Sequence, residues 1–236
     1  MRPLVLVPTY NERDNLRPLI AALMAIDGLQ VLIVDDNSPD GTADEAESIG
    51  AASHGRVSVM RRPGARRGLG RSYIDGIAAA LRTDATHVCQ MDADFSHDPA
   101  ALPRLLTAAA AADLVIGSRY IPGGRLSNWP AHRLVLSRFA NWYVRAITRL
   151  PVHDCTSGFR CWTRGLLARL PLDRIVSDGY AFQVEMAWEA HAAGGRIVEV
   201  PITFVERREG QSKMSGRVIV ESVVLPWRLI ARPHSR

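Results

Sequence analysis

The sequence predicts an α/β fold: a mostly parallel central sheet flanked by helices. Three observations carry that expectation. Short strand-like runs recur along the first half of the chain, at 4–7, 31–34, 57–60, 86–91 and 114–117. Most of them are apolar throughout, as strands buried on both faces are, rather than alternating as half-exposed strands do. Stretches with apolar residues at helical spacing separate them, which is the pattern of βα units. Each run also ends in polar residues, and in open α/β sheets ligands bind outside the carboxyl ends of the strands.

Taken in order, the first run is stopped by Pro8 and followed by the loop Thr9, Tyr10, Asn11, Glu12. A helix over about 14–26 then places Leu16, Leu19, Ile20 and Leu23 on one face. The second run ends in Asp35, Asp36, Asn37, Ser38, Pro39, Asp40 and Gly41, where Asp40 or Thr42 can cap a helix over about 43–49. After the third run, residues 61–71 form a basic, glycine-rich loop leading into a helix over about 69–81. Gly68-Leu69-Gly70 lacks the third glycine of a dinucleotide fingerprint, so a Rossmann cofactor site is given little weight. A helix over about 99–112 follows the fourth run, and the fifth ends in Ser118, Arg119 and Tyr120.

The fourth run delivers Asp92-Ala93-Asp94, with Ser96 and His97 close behind. Residues i and i+2 of a strand share a face. Asp92 and Asp94 therefore converge on one point, with Ser96 next on that side if the chain stays extended. Two carboxylates and a hydroxyl are hard oxygen donors suited to Mg²⁺ or Mn²⁺, which keep positions open for substrate phosphates. The plainer alternative is a turn made by Asp94 and Ser96 that caps a helix starting near Pro99. The polar ends at Tyr10, Glu12, Asp35, Asp36, Asp92, Asp94 and Arg119 gather on one edge of the predicted sheet, which favours a single active site.

Hydrophobic residues make up 47% of the 236 and charged ones 22%, an ordinary balance for a folded protein. The net charge of +5 points to an anionic partner. Nearly all of the positive charge is arginine, the residue that grips phosphate with two parallel hydrogen bonds; Lys213 is the single lysine. The basic residues lack the interleaved aromatics of a single-strand platform, and no helix-turn-helix or zinc pattern appears, so nucleic acid is not the expected partner. Cys89, Cys155 and Cys161 have no zinc-type spacing and read as packed small side chains in a reducing compartment.

Seven stretches together resemble the GT-A glycosyltransferases of family 2, most closely the polyprenol-phosphate (dolichol-phosphate) mannose synthase branch. They are PTYNE (8–12), VDDNSPDGT (34–42), DADFSH (92–97), GSRY (117–120), NWPAHR (128–133), TSGFR (156–160) and REGQSKMS (208–215). The resemblance implies a GT-A fold over 1–205, with a donor half of about 1–120 and an acceptor half of about 121–205. Residues 206–236 then form a donor-closing loop and an amphipathic tail. It implies inverting transfer of mannose from GDP-mannose to a polyprenyl monophosphate, with UDP-glucose or another donor, or a non-catalytic nucleotide-sugar module, as alternatives. Pro8, Tyr10, Glu12 and Asp36 are implied to contact the nucleoside. Asp92, Ala93 and Asp94 line the diphosphate, with Asp92, Asp94 and Ser96 as metal ligands; Arg207 and Lys213 close over it. Arg119, Arg133 and Ser137 are implied to receive the acceptor phosphate, and Asp92, Asp94 and Arg119 to carry the chemistry.

Two later segments bear on location. A helix over about 132–150 sets Val135, Phe139, Trp142, Tyr143, Ala146, Ile147 and Leu150 opposite Arg133 and Ser137, with Arg138, Arg145 and Arg149 nearby. That apolar face reads either as core or as the membrane-lying side of a basic amphipathic helix. The run 218–230 is broken by Glu221, Pro226 and Arg228, too interrupted for the ~20 apolar residues of a bilayer span. The expected location is peripheral, on the cytoplasmic face of a membrane, and a separate membrane-anchoring protein is compatible with it. Glu185, on another predicted helix, is expected to order that helix through buried hydrogen bonds rather than to act as a base.

Overall fold

The computed structural model describes residues 1–64, 68–206 and 216–232, with backbone alone for 216–222. The first three βα units are β1 (Pro3–Thr9), α1 (Arg13–Met24), β2 (Gln30–Asp35), α2 (Thr42–Ala51), β3 (Val57–Arg61) and α3 (Leu69–Ala80). They lead into β4 (His87–Gln90), α4 (Leu102–Ala108) and β5 (Leu114–Ser118). The second half adds β6 (Arg125–Ser127), α5 (Ala131–Thr148), β7 (Arg160–Thr163), α6 (Arg164–Leu167), α7 (Gly179–Ala192), β8 (Ile197–Pro201), β9 (Thr203–Val205) and α8 (Gly216–Ala231).

The main sheet has seven strands in the order β3-β2-β1-β4-β7-β5-β8, and β6 pairs with β9 in a small second sheet. All neighbours run parallel except β7, which is antiparallel to both β4 and β5. The alternation of side chains across the sheet divides the core in two. Leu4, Leu6, Leu32, Val34, Val88, Leu114 and Ile116 face one layer, with α3 and α7. Val5, Val7, Val31, Ile33, Cys89 and Val115 face the other, with α1 and α4. Both faces are covered, so the strand sequences carry no polar side, which is why they read as continuous apolar runs. Helix α3 lies very close to the sheet: a β-carbon at Gly76 would sit 3.0 Å from the Val34 side chain and 3.3 Å from that of Leu6.

The predicted helix over 99–112 is shorter than expected. A 3₁₀ turn at Pro99–Ala101, capped by Asp98 accepting from Ala100 N, precedes α4. After Ala108 the chain tightens into i→i−3 bonds, Ala110 N to Thr107 O and Ala111 N to Ala108 O, which turn it into β5. Asp40 caps α2 by accepting from both Thr42 N and Thr42 Oγ1, with Gly41 in the left-handed region at φ 83°. Strands β6 to β9 were not foreseen. Strand β7 begins at Arg160, the last residue of the motif at 156–160, and it inserts between β4 and β5 rather than extending the parallel order.

Helix α8 docks on α5 and α7. Leu225 and Leu229 are buried in the main core, and Arg232 reaches Glu185 and Glu189. Most of the apolar face of α5 is not core: Val135, Phe139 and Trp142 are 67%, 56% and 62% exposed, while Asn141, Val144 and Thr148 are its buried residues and Leu150, just past its end, joins the main core.

Candidate active site

Four strands of the main sheet present their carboxyl ends on one edge. Thr9 pairs with Asp35 in the β1–β2 register, Asp36 N donates to Thr9 O, and Met91 N donates to Leu6 O, so β1 sits between the β2 and β4 ends. At β1, Pro8 and Tyr10 are half-buried, and Asn11 takes a left-handed φ of 59°, which lets the chain turn into α1. Glu12 is fixed where that helix starts: its N–H donates to Thr42 Oγ1, and its Oε2 accepts from Asn15 Nδ2 at 2.7 Å.

At β2, the two aspartates have different duties. Asp35 is 1% exposed and accepts from Thr9 Oγ1, Ser38 N and Ser38 Oγ, so it shapes the loop. Asp36 pairs with the buried Arg62 and accepts from Gly68 N at 2.9 Å. Arg62 also donates to Asp75 Oδ2 and Ser72 Oγ. The sequence reading placed Arg62 only within a basic loop; the one signal available was its position directly after a strand end. The residues 65–67 of that loop, and Arg207 and Lys213 of the expected donor-closing loop, lie outside the described residues.

At β4, Asp92 and Asp94 are both half-buried, with the Asp92 side chain 33% exposed, and Ala93 between them is buried in the core. Tyr73 donates its hydroxyl to Asp92 Oδ1 at 3.2 Å. Burial, and then the Asp92 charge, push the Tyr73 hydroxyl well above its usual range, so it stays a donor. Burial lowers the pKa of His97, and Asp92 N donates to His97 Nδ1 at 3.3 Å. The ring is therefore neutral near pH 7 with its proton on Nε2. It is clamped by Phe159, at 5.1 Å between centroids, and by Phe204, at 5.4 Å.

The chain does not stay extended past Asp94. Phe95 has φ 59°, and Ser96 N donates to Asp94 Oδ1 at 3.0 Å. Ser96 is 2% exposed, and its carbonyl accepts from Val205 N. The Asp94–Ser96 turn of the plainer reading thus forms while Asp92 and Asp94 still border the site; the 3₁₀ turn that follows is capped by Asp98 instead. Gly158 completes this corner: a β-carbon there would point between Gln183 Nε2, His97 Cε1 and Asp92 Oδ1, at 3.4, 3.6 and 3.8 Å.

The acceptor side is built from pairs. Arg119 is 6% exposed. It holds Asp154 through Nε and Nη2, each at 2.7 Å, and through its backbone N–H, with Thr156 Oγ1 as a further acceptor at 2.8 Å. Burial alone would lower the Arg119 pKa, and Asp154 reverses that, holding the guanidinium charged; burial likewise works against the Asp154 carboxylate, and Arg119 outweighs it. The guanidinium also lies over the rings of Tyr120, Phe204 and Trp129. Arg133 forms an ion pair with Glu206 and stacks on Trp129 at 4.2 Å from the ring centroid. Ser137 Oγ accepts from the Tyr120 hydroxyl at 2.7 Å.

Beneath the site, Arg160 is fully buried, donating to Ser157 O and Cys155 O, and burial pulls it down to about 10. Cys89, Cys155 and Cys161 are buried free thiols, as expected. Glu185 is 0% exposed, accepts from Ser177 N and pairs with Arg232, consistent with an ordering role. Among the described residues no three His, Cys, Asp or Glu side chains cluster as a metal site. The edge therefore offers carboxylate oxygens at β4 and, across it, arginines beyond β5.

Comparison with known proteins agrees with this geometry. The family model described as "Glycosyl transferase family 2" matches residues 4–170. A polyprenol monophosphomannose synthase of Mycolicibacterium smegmatis is 47% identical over 98% of this chain and 88% of its own. An undecaprenyl-phosphate mannosyltransferase of Micrococcus luteus is 46% identical over 98% of this chain and 96% of its own. Among solved structures, glucosyl-3-phosphoglycerate synthase from Mycobacterium tuberculosis, in complex with Mn²⁺, UDP and glucosyl-3-phosphoglycerate, superposes with a TM-score of 0.72 at 20% identity. That superposition covers 99% of this chain and 81% of the other, and shows a shared fold. The chain belongs to glycosyl transferase family 2.

Proposed function

We propose that this enzyme transfers mannose from GDP-mannose to a polyprenyl monophosphate, with inversion, giving a β-linked polyprenyl-phosphate mannose. The observation that carries this reading is the strand-end pair Asp92 and Asp94 on the same edge as the arginine-rich acceptor side, in a chain similar over nearly its whole length to two lipid-phosphate mannosyl enzymes. The donor half, about 1–120, supplies Pro8, Tyr10, Glu12 and Asp36 to the nucleoside and the 92–94 stretch to the diphosphate. The acceptor half, about 121–205, works with Arg119 at the boundary, and Arg207 and Lys213 belong to the closing loop.

The donor set suits a divalent cation. Asp92 and Asp94 are hard oxygen donors with partly exposed side chains, and two protein carboxylates leave coordination positions for diphosphate oxygens, as Mg²⁺ and Mn²⁺ prefer. Asp92 and Asp94 would hold the ion, whereas Ser96, 2% exposed behind the turn at Phe95, does not follow them on an extended path as a third ligand; when bound, the ion neutralises charge on the departing nucleoside diphosphate. A metal-bound neighbour of the same fold, described with Mn²⁺, supports a divalent ion. The Tyr73 hydroxyl holds the Asp92 carboxylate, and the bond from Asp92 N to His97 Nδ1 holds its backbone.

A phosphate acceptor oxygen is already anionic near neutral pH, so no protein base is needed. The burial of Glu185 and its ties to Ser177 and Arg232 support that economy. Bringing two anionic substrates together is the harder task, and Arg133 with Ser137 on α5 receives the acceptor phosphate while the Arg119–Asp154 pair holds that side in shape.

The exposed face of α5 and the α8 residues Val223, Trp227 and Ile230, at 50%, 56% and 41% exposure, support docking on the cytoplasmic surface of a membrane. Tyr143 joins the two helices by donating to Val223 O and accepting from Trp227 Nε1. Among the described residues no helix is long and apolar enough to cross a bilayer; the proposed attachment is peripheral, with or without an anchoring protein. Flotation on anionic vesicles that weakens with salt checks this part, because surface charge is screened over about 10 Å at 0.1 M.

The deciding experiment incubates the purified protein with radiolabelled GDP-mannose, UDP-glucose and UDP-mannose in turn, with a short polyprenyl phosphate, detergent and Mn²⁺ or Mg²⁺. Labelled mannolipid from GDP-mannose is the expected product. Glucolipid alone would reassign the donor, and nucleotide binding without any lipid product would make this a silent binding module.

A further inference from the structure

The acceptor half carries more positive charge than the proposed reaction uses. Arg119 is neutralised by Asp154 and Arg133 by Glu206. Arg138 and Arg145, by contrast, have no ion pair or side-chain hydrogen bond among the described residues. They stand seven apart on α5, two turns or about 10 Å along the axis. Asn141 and Trp142, three and four residues on from Arg138, share their face. With Tyr120 and His153 these four residues line a cavity of about 230 Å³ that lies beside the Tyr120–Ser137 contact.

The walls of the cavity are fixed and its charge is not balanced. Asn141 accepts from Cys155 N at 2.7 Å and donates to Ser137 O at 2.9 Å. His153 is held by Glu199 through both Nδ1 and its backbone N–H, at 2.8 Å each. Glu199 is spent further on Asp154 N at 2.9 Å, so it answers His153 and leaves the arginines unanswered. Two guanidinium groups over a rigid polar floor recognise a phosphate. Trp142 lines the same cavity and continues, 62% exposed, into the apolar face formed with Phe139 and Val135. A phosphate seated here would therefore belong to a molecule whose remainder lies in the apolar layer, with the indole at headgroup depth.

We propose that this cavity binds the headgroup phosphate of a bilayer phospholipid, as a site separate from that of the acceptor phosphate, and that it sets the orientation of the enzyme on the membrane. The proposal rests on the membrane-surface reading above. Basic pockets facing a leaflet bind lipid headgroups, and each basic residue near an anionic surface contributes roughly a fivefold gain in partition.

The test is flotation of the full chain with phosphatidylcholine vesicles, with and without phosphatidylglycerol, comparing wild type, Arg138→Gln/Arg145→Gln and a control, Arg104→Gln/Arg169→Gln. The control removes the same charge from exposed positions outside α5, one on α4 and one just after α6. Thermal melts confirm that each is folded. Partition onto the phosphatidylglycerol vesicles should fall about thirtyfold in the first variant and much less in the control. Glycerol 1-phosphate should shift the tryptophan fluorescence of wild type but not of Trp142→Phe or the cavity variant. Transfer to a short acceptor in detergent should remain within about twofold of wild type, since neither arginine is in the reacting machinery. Equal losses in cavity variant and control would overturn the site in favour of diffuse charge. Flotation retained with a raised acceptor KM in detergent would reassign the cavity to the acceptor. A wild type that floats on neither vesicle would remove the membrane-surface reading and this proposal together, whereas a failure confined to the cavity variant leaves that reading standing.

Discussion

The two sides of the candidate site differ in how their charged groups are employed. On the donor side, Asp92 and Asp94 are partly exposed, and the Asp92 side chain keeps 33% of its surface. On the acceptor side, Arg119 and Asp154 expose 4% and 0% of their side chains and bind each other through a full fork. Arg133 is half-buried against Glu206 and Trp129. A carboxylate at a strand end thus keeps surface that a cation can reach, whereas an arginine in an equally suggestive motif is buried in a full fork with its partner. Charge in a motif says which chemistry is affordable; only its partners say whether it is spent.

The largest effect should come from the donor side. Asp94→Asn should keep the fold and reduce transfer by about two orders of magnitude or more, because leaving-group stabilisation is lost. Full turnover by that variant, or by wild type in excess EDTA, would remove the distinction between the two sides.

Next comes the buried pair. Asp154→Asn leaves Arg119 charged and uncompensated, and breaking a buried pair in this way destabilises by about 3–5 kcal/mol. A thermal melt should show a drop of many degrees, with GDP-mannose binding by the folded fraction intact. If Asp154→Asn melts like wild type yet loses transfer, Arg119 contacts substrate rather than supporting its surroundings.

Arg133→Ala sharpens the comparison further. A charged hydrogen bond contributes roughly 1.5–3 kcal/mol, so acceptor affinity or transfer should fall about ten- to a hundredfold. Donor binding by calorimetry should stay near wild type, while Lys213→Ala should weaken donor binding directly. Similar donor losses in both variants would mean that the two phosphates are not divided as described.

The smallest effect is one of pH. The Asp154 pKa is held below its ordinary 3.8 because Arg119 outweighs burial. A depressed carboxylate contributes stability that is complete above its unfolded pKa and is lost as pH falls through the folded one. Wild type should therefore lose stability more steeply than Asp154→Asn below about pH 4. Parallel acid-unfolding curves for the two proteins would contradict this.

The parts that the sequence made legible are those with a local signal. Strands β1 to β5 are short apolar runs, each readable from its own residues, and the polar residues after them share an edge once the strands are parallel. The motifs at 8–12, 34–42, 92–97 and 117–120 lie at the ends of β1, β2, β4 and β5, on the same edge. What stayed hidden depends on tertiary partners. Asp154 lies 35 residues from Arg119, and nothing in either segment alone shows that they pair. Strand β7 is four residues long and antiparallel, inserted between strands that precede it in sequence. The turn at Phe95 needs a left-handed φ that an aromatic residue seldom adopts, so the extended path through Ser96 was the natural expectation. The apolar face of α5 has the same periodicity whether it meets a core or a lipid surface; exposure, not pattern, separates the two.

The central claim is that Asp92 and Asp94 hold the donor through a divalent ion. Calorimetric titration of GDP-mannose into wild type and Asp94→Asn, each with and without Mn²⁺, tests it most directly. Wild type should bind tightly only with the metal, and Asp94→Asn, equally folded, should bind weakly whether or not the metal is present. Tight, metal-independent binding by wild type, or an undiminished metal effect in Asp94→Asn, would contradict it.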